Sequence, residues 1–178
     1  MVDIGKKQIK RIRLIYKTIA ALVILFVVLG LLIPAFIRTR SVVPYRMVCQ
    51  TNLSRLAKAI EAYSVDNDGK YPTTTKWCDL LVQNGYATEK LFRCPGNKKD
   101  PCGYAMNANV EPNSPADVVL LFDAKGGWNQ FGGLEELTVE NHGGMGSNVL
   151  FNDGHVEFLK LEQIDSLKWG ITKSKSIR

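Results

Sequence analysis

Residues 18–65 read TIAALVILFVVLGLLIPAFIRTRSVVPYRMVCQTNLSRLAKAIEAYSV, and two different apolar patterns lie end to end in that stretch. From Thr18 to Ile37 there are twenty residues without a charge. A helix of that length spans roughly 30 Å, the thickness of a bilayer's hydrocarbon core. Beyond Tyr45 the apolar residues recur at helical spacing instead. Val48, Cys49, Leu53, Leu56, Ala57, Ile60 and Tyr63 mark one face, and Arg55, Lys58 and Glu61 the other. The first pattern predicts a helix in lipid, the second a helix with one side packed on protein. Together they predict one helix of about fifty residues, interrupted at Gly30 and Pro34 and bent near Pro44, because proline frees a backbone carbonyl.

A cleaved signal peptide competes with a retained anchor. The apolar run exceeds a signal peptide's apolar region, and no small-x-small cleavage site comes before Arg38, so the anchor is the preferred reading. Charge supplies the direction. Lys6, Lys7, Lys10, Arg11, Arg13 and Lys17 against Asp3 give residues 1–17 a net charge of +5, whereas Arg38, Arg40 and Arg46 follow the span. The positive-inside rule then puts the N-terminus in the cytoplasm and the domain outside. The whole chain carries +6, so its basicity is local: the other 161 residues hold 17 basic and 16 acidic groups. A nucleic-acid-binding chain spreads its cations over the folded domain, and no such partner is expected here. The lipid bilayer is the expected partner.

Asp66-Asn67-Asp68-Gly69 ends the helix, since Gly69 suits a positive φ and Tyr71-Pro72 cannot continue it. A short helix over Lys76–Gln83 is expected, capped by Thr74 or Thr75 and stopped at Gly85. Strands are expected around Gly103–Ala108 and Asp117–Asp123, and Gly126–Gly133, holding Trp128 and Phe131, reads as an ordered loop. Ser147–Lys160, SNVLFNDGHVEFLK, predicts a hairpin about a type I′ turn at Asp153-Gly154, with Val149 and Phe151 sharing a face with Val156 and Phe158. A short helix after Leu161 completes an α+β chain. Its parts are a basic segment 1–17, a transmembrane helix 18–37, an amphipathic continuation 38–68, an extracytoplasmic domain 69–172 and a basic tail 173–178.

The order of several elements resembles a known family. The string IPAFIRTRSVVPYRMVCQTNLSRLAKAIEAYSVDNDGKYP is similar to the N-terminal helix of type IV pilin-like proteins and type II secretion pseudopilins: Pro34, Arg38 and Arg40, Cys49, Asn52-Leu53, Tyr63, Asp68-Gly69 and Tyr71-Pro72 follow in sequence. LFRCPGN with GYAMN, and NHGGMGSNVLFNDGHVEF, resemble that group's Cys-Pro element and its prepilin-type His-x(9)-Asp-Gly element. The resemblance implies a pilin-like fold, a long N-terminal helix on a small antiparallel sheet. It also implies a bacterial inner-membrane location with a periplasmic domain, and other pilin-like or secretion-system subunits as partners. Two departures stand out. Aligned on Pro34, the glutamate that aids assembly falls on Lys17 and the processing glycine on Ile12, so the peptidase site is absent and the assembly charge reversed. A lysine there repels a neighbouring N-terminal amine where glutamate attracts it. Ten residues, not nine, separate His142 from Asp153.

Cys49, Cys78, Cys94 and Cys102 all lie beyond the anchor. An even count outside the cytoplasm suggests two disulfides in one of three pairings, with free thiols and a zinc site as alternatives. Zinc is the weakest, for there is no Cys-x-x-Cys. Cys49 and Cys94 both fall in the family-like elements, so the resemblance implies Cys49–Cys94 with Cys78–Cys102. Asp123, His142, Asp153 and His155 are the candidate metal ligands. The competing reading makes them polar side chains that bond loop backbone, Asp153 being accounted for by the turn. Some pseudopilins hold calcium in the corresponding region, so calcium is the ion the resemblance suggests, although no cofactor is the leading expectation. Ser64-x-Asp66-x-Asp68-Gly69 echoes a calcium loop but has Thr75 where the bidentate glutamate belongs, and it reads as a helix stop. With two histidines and no Gly-x-Ser-x-Gly, phosphate loop or His-Glu-x-x-His, no catalytic residue is assigned and a non-enzyme is expected. The expected function is a pseudopilin-like structural subunit; the alternatives are a non-polymerising anchored binding module and a metal-dependent envelope enzyme.

Overall fold

A computed structural model describes residues 2–170, with side chains described for 13–30 and 45–170. The side chains of Pro34 and Pro44, on which the kink and bend were expected, lie outside the described residues, as does the tail 173–178. The chain divides into two units, Met1–Ser41 and Val42–Arg178. The long helix α1 (Val2–Asp66) contributes to both. In the first unit, Arg13–Gly30 has a mean hydropathy of 2.0 with none of it buried, and is long and apolar enough to cross a membrane.

The second unit is α+β. Around a sheet of β1 (Tyr104–Asn107), β2 (Val119–Asp123), β3 (Phe131–Gly132), β4 (Ser147–Phe151) and β5 (Val156–Leu159) lie α2 (Trp77–Gln83) and α3 (Leu161–Ile164). The strand order is β3-β1-β2-β4-β5. The sheet is mixed, not wholly antiparallel as expected, because β3 runs parallel to β1. The connection dictates this. β2 ends at Asp123 beside Tyr104, the start of β1, so the chain re-enters at that end and runs the same way. Both sheet faces are covered, which is why Val118–Phe122 reads as an unbroken apolar run. Tyr104, Met106, Leu121 and Leu150 join one cluster with Leu53, Leu56 and Ile60 of α1. Ala105, Phe122, Val149 and Phe151 join another with Leu159 and Ile164.

Three local expectations are corrected. The buried face of α1 is Cys49, Asn52, Leu53, Leu56, Ala59 and Ile60, whereas Val48 is 43% exposed. Val48 and Cys49 stand about 100° apart around the helix, and only Cys49 keeps the three-four spacing with Leu53 and Leu56. Neither Thr74 nor Thr75 caps α2: a 3₁₀ turn covers Thr74–Lys76. The cap comes from a distant loop, where Asn129 Oδ1 accepts from the backbone N–H groups of Cys78 at 2.8 Å and Asp79 at 3.2 Å. Asp79 in turn accepts from Trp128 Nε1 and Asn129 Nδ2, which orders the glycine-rich segment. Finally, the hairpin has a three-residue turn, Asn152-Asp153-Gly154. The Gly154 N–H donates to Phe151 C=O, the Phe151 N–H to His155 C=O, and Gly154 has φ +89°. This is a type I turn followed by a left-handed glycine. The register moves by one residue, pairing Leu150 with Val156 and Asn148 with Phe158. Val149 and Phe151 therefore lie on the face opposite Val156 and Phe158.

Candidate functional site

Polar residues converge between α1 and the sheet face it covers. Cys49 comes from the buried face of α1, Asp123 from the end of β2 and Asn148 from β4. Asp123 follows Leu121 by two residues and so shares its face, as Asn148 shares that of Leu150. Cys94 follows a 3₁₀ turn, Glu89–Phe92, and His142 ends another, Glu140–His142. Two glycines permit the loops to close. A Cβ on Gly103 would lie 2.5 Å from the Cys94 Cβ, and one on Gly96 would lie 1.8 Å from the Asn141 carbonyl oxygen. Asn52 Nδ2 donates to the Arg93 carbonyl at 3.0 Å, tying α1 to the Cys94 loop.

The Cys49 and Cys94 sulfurs are 2.7 Å apart. His142 Nε2 lies 2.8 Å from Asp123 Oδ2, which also accepts from Asn148 N–H at 2.6 Å and Asn148 Nδ2 at 2.9 Å. One ligand atom each from Cys49, Cys94, Asp123 and His142 falls within 4.8 Å of every other. These residues are at most 1% exposed. Asp123 Oδ1, His142 Nδ1 and Asn148 Oδ1 lack a directional hydrogen bond. The His142 ring also lies beside Cys94, with a ring nitrogen within 4.8 Å of its sulfur.

Charge is divided unequally between the two thiols. The hydrogen bond with Cys49 lowers the Cys94 pKa to about 6, with His142 assisting against burial. Cys49, the donor, is pushed up by the same contact and by burial. Burial drives His142 down, but its contacts with Asp123 and Cys94 more than offset that and hold it at about 9. The Cys94 and His142 shifts point the same way, favouring a thiolate on Cys94 beside a protonated His142 when the cluster is reduced. A second pair forms beside α2, where burial first and Cys102 second raise the Cys78 thiol. All four cysteines are free thiols in this structure.

Of the four metal candidates, Asp123 and His142 meet. Asp153 and His155 sit at the hairpin tip, bonded to each other and about half exposed. Five residues of extended chain, about 16 Å, separate Asn148 from Asp153. The joint cluster of four does not form. The sequence pattern missed three members of the site: Asn52, Asn148, and Tyr104, whose hydroxyl accepts from Asn52 Nδ2 at 3.4 Å. The available signal was Asn148 itself, a polar residue in phase with Leu150 on a buried strand face. Two sulfurs, an imidazole and a carboxylate suit a borderline ion such as zinc; calcium takes oxygen ligands.

Compared with protein-family models, with curated proteins and with solved structures, the chain finds no match.

Proposed function

We propose that the chain is a membrane-anchored, pseudopilin-like structural and interaction subunit of a type II secretion or type IV pilus-like assembly, held in the bacterial inner membrane with its domain in the periplasm. The observation that supports this most is the double use of α1. In the first unit its large apolar side chains are bare, Leu22 at 64% and Phe26 at 80% exposure. Apolar surface costs about 25 cal/mol per Å² in water, so such a segment belongs in lipid or against other helices. In the second unit the same helix closes the core with Cys49, Leu53, Leu56 and Ile60, while Met47, Val48, Thr51, Arg55 and Lys58 stay exposed. That outward stripe is where a neighbouring subunit docks.

Lys17 favours a second reading, an anchored module that binds an envelope partner without polymerising. A cation at the position where assembly uses a carboxylate weakens subunit-to-subunit attraction within the membrane. The readings separate on one preparation. Intact mass of the membrane-extracted protein, with cross-linking from Met47 and Arg55, yields a trimmed, N-methylated end and links to similar subunits if it assembles. An intact Met1 end without such links sinks assembly. Release of the chain by alkaline carbonate sinks both.

A further inference from the structure

We propose that Cys49 and Cys94 form an exchangeable disulfide fastening α1 to the domain, in which Cys94 is the reactive sulfur and His142, held by Asp123, is its positioning residue. The partner by class is a small or protein dithiol–disulfide couple. The inference rests on the extracytoplasmic placement proposed above only for where the reaction occurs, not for its chemistry.

Distance decides between the two chemistries open to the cluster. The sulfurs stand 2.7 Å apart. An S–S bond of ~2.05 Å needs them to close by roughly 0.6 Å. Two thiolates sharing a tetrahedral zinc at ~2.3 Å would have to separate to about 3.8 Å within a packed interior. Asp123 is also committed, since Oδ2 already takes His142 and two Asn148 donors. Zinc therefore has the harder path.

The surrounding groups make this pair labile where a purely structural disulfide is inert. His142 Nδ1 is fully buried and lacks a directional hydrogen-bond partner. A ring nitrogen of His142 lies within 4.8 Å of the Cys94 sulfur, so a protonated His142 favours the Cys94 thiolate of the reduced form. A stabilised thiolate is a better leaving group, and it raises the reduction potential of its disulfide. Both sulfurs are buried, so the difference between them lies in the backbone that carries them: Cys94 sits in a loop after a 3₁₀ turn and Cys49 inside α1. Arg93 and Gly96 on either side of Cys94 are exposed, whereas Cys49 lies under the domain on α1. Local opening of this surface loop uncovers Cys94 without releasing the helix.

In the oxidising direction the Cys94 thiolate attacks one sulfur of an incoming disulfide, forming a mixed disulfide and expelling one thiolate. Cys49 loses its proton and attacks the Cys94 sulfur, closing Cys49–Cys94 and expelling the second thiolate. The two protons released by the cysteines end on the two expelled thiols, and the external disulfide is reduced as the pair is oxidised.

The test uses the full chain in detergent micelles, equilibrated with glutathione at stepped redox ratios, then alkylated and mapped by peptide mass. The expected result is a Cys49–Cys94 peptide lighter by two hydrogens, lost in a single step as the buffer becomes reducing. His142→Asn should retain the link into buffers about tenfold more reducing, as the loss of one pKa unit of thiolate stabilisation requires. The Cys78–Cys102 pair is the internal control and should titrate unchanged; if it shifts, the fold is disturbed and His142→Gln replaces the variant. Alkylation of both Cys49 and Cys94 in every oxidising buffer overturns the proposal. So does stoichiometric zinc that protects both thiols until chelation, and an unshifted midpoint in both variants removes His142's role. A link that forms in micelles while in-cell alkylation finds both thiols reduced overturns the periplasmic placement and leaves the chemistry standing.

Discussion

His142 sits where burial and charge oppose each other, and the charged neighbours win. Its pKa rises from 6.5 to about 9 through Asp123 and Cys94. A raised folded-state value stabilises fully below the unfolded value, and that contribution is lost as pH climbs through the folded value. Thermal melts of the reduced protein should therefore lose this contribution between about pH 6.5 and pH 9, and His142→Asn should flatten that part of the profile. Cys94 works in the opposite sense. Its depressed pKa stabilises above the ordinary thiol value of 9.0 and is lost as pH falls through about 6. In the dithiol form this gain offsets part of the His142 loss over the same range, and oxidation removes it together with Cys94's share in raising His142. Gly103→Ala tests the packing around the same sulfur. The added methyl meets the Cys94 Cβ at 2.5 Å, and overpacking of this kind should cost about 1–3 kcal/mol in denaturant melts.

Elements separate what a pattern predicts from what a contact decides. The helical face of α1 was legible from spacing, yet Val48 was placed on it and Asn52 left off. Leu56→Ala should cost about 2–5 kcal/mol by urea titration, while Val48→Ala should change little, since one is fully buried and the other 43% exposed. Equal costs would contradict the assigned face. The hairpin was legible from Asp153-Gly154, but its register was not. A two-residue and a three-residue turn use the same Asp-Gly pair. Asn152 tips the balance through ties outside the hairpin, its N–H donating to the Val118 carbonyl and its Nδ2 to the Ser114 carbonyl at 2.7 Å. Gly154 has φ +89° with open space around its Cβ direction. Gly154→Ala should thus cost about 1–2 kcal/mol from backbone strain alone.

For the whole molecule, the exposed apolar segment is the dominant physical fact. A single charge placed in it, Leu25→Arg, should weaken insertion by about 2.5–3.5 kcal/mol and move protein from the membrane to the soluble or degraded fraction. Unchanged fractionation would argue against a span there. Periodicity and length, which are local properties, determined much by themselves: an apolar helix of membrane length, an amphipathic stretch after it, the main strands and an α+β class. They are readable because each depends on neighbours within a few residues in the chain. The tertiary structure alone decided the parallel β3, the Asn129 cap on α2, the one-residue shift of the hairpin and the meeting of Asp123 and His142 with the Cys49–Cys94 pair that the resemblance implied. Those depend on groups 19 to 93 residues apart in sequence, whose approach is set by how the faces of α1 and the sheet pack. Sequence spacing carries no trace of that distance, and burial is what turns the four side chains into a site.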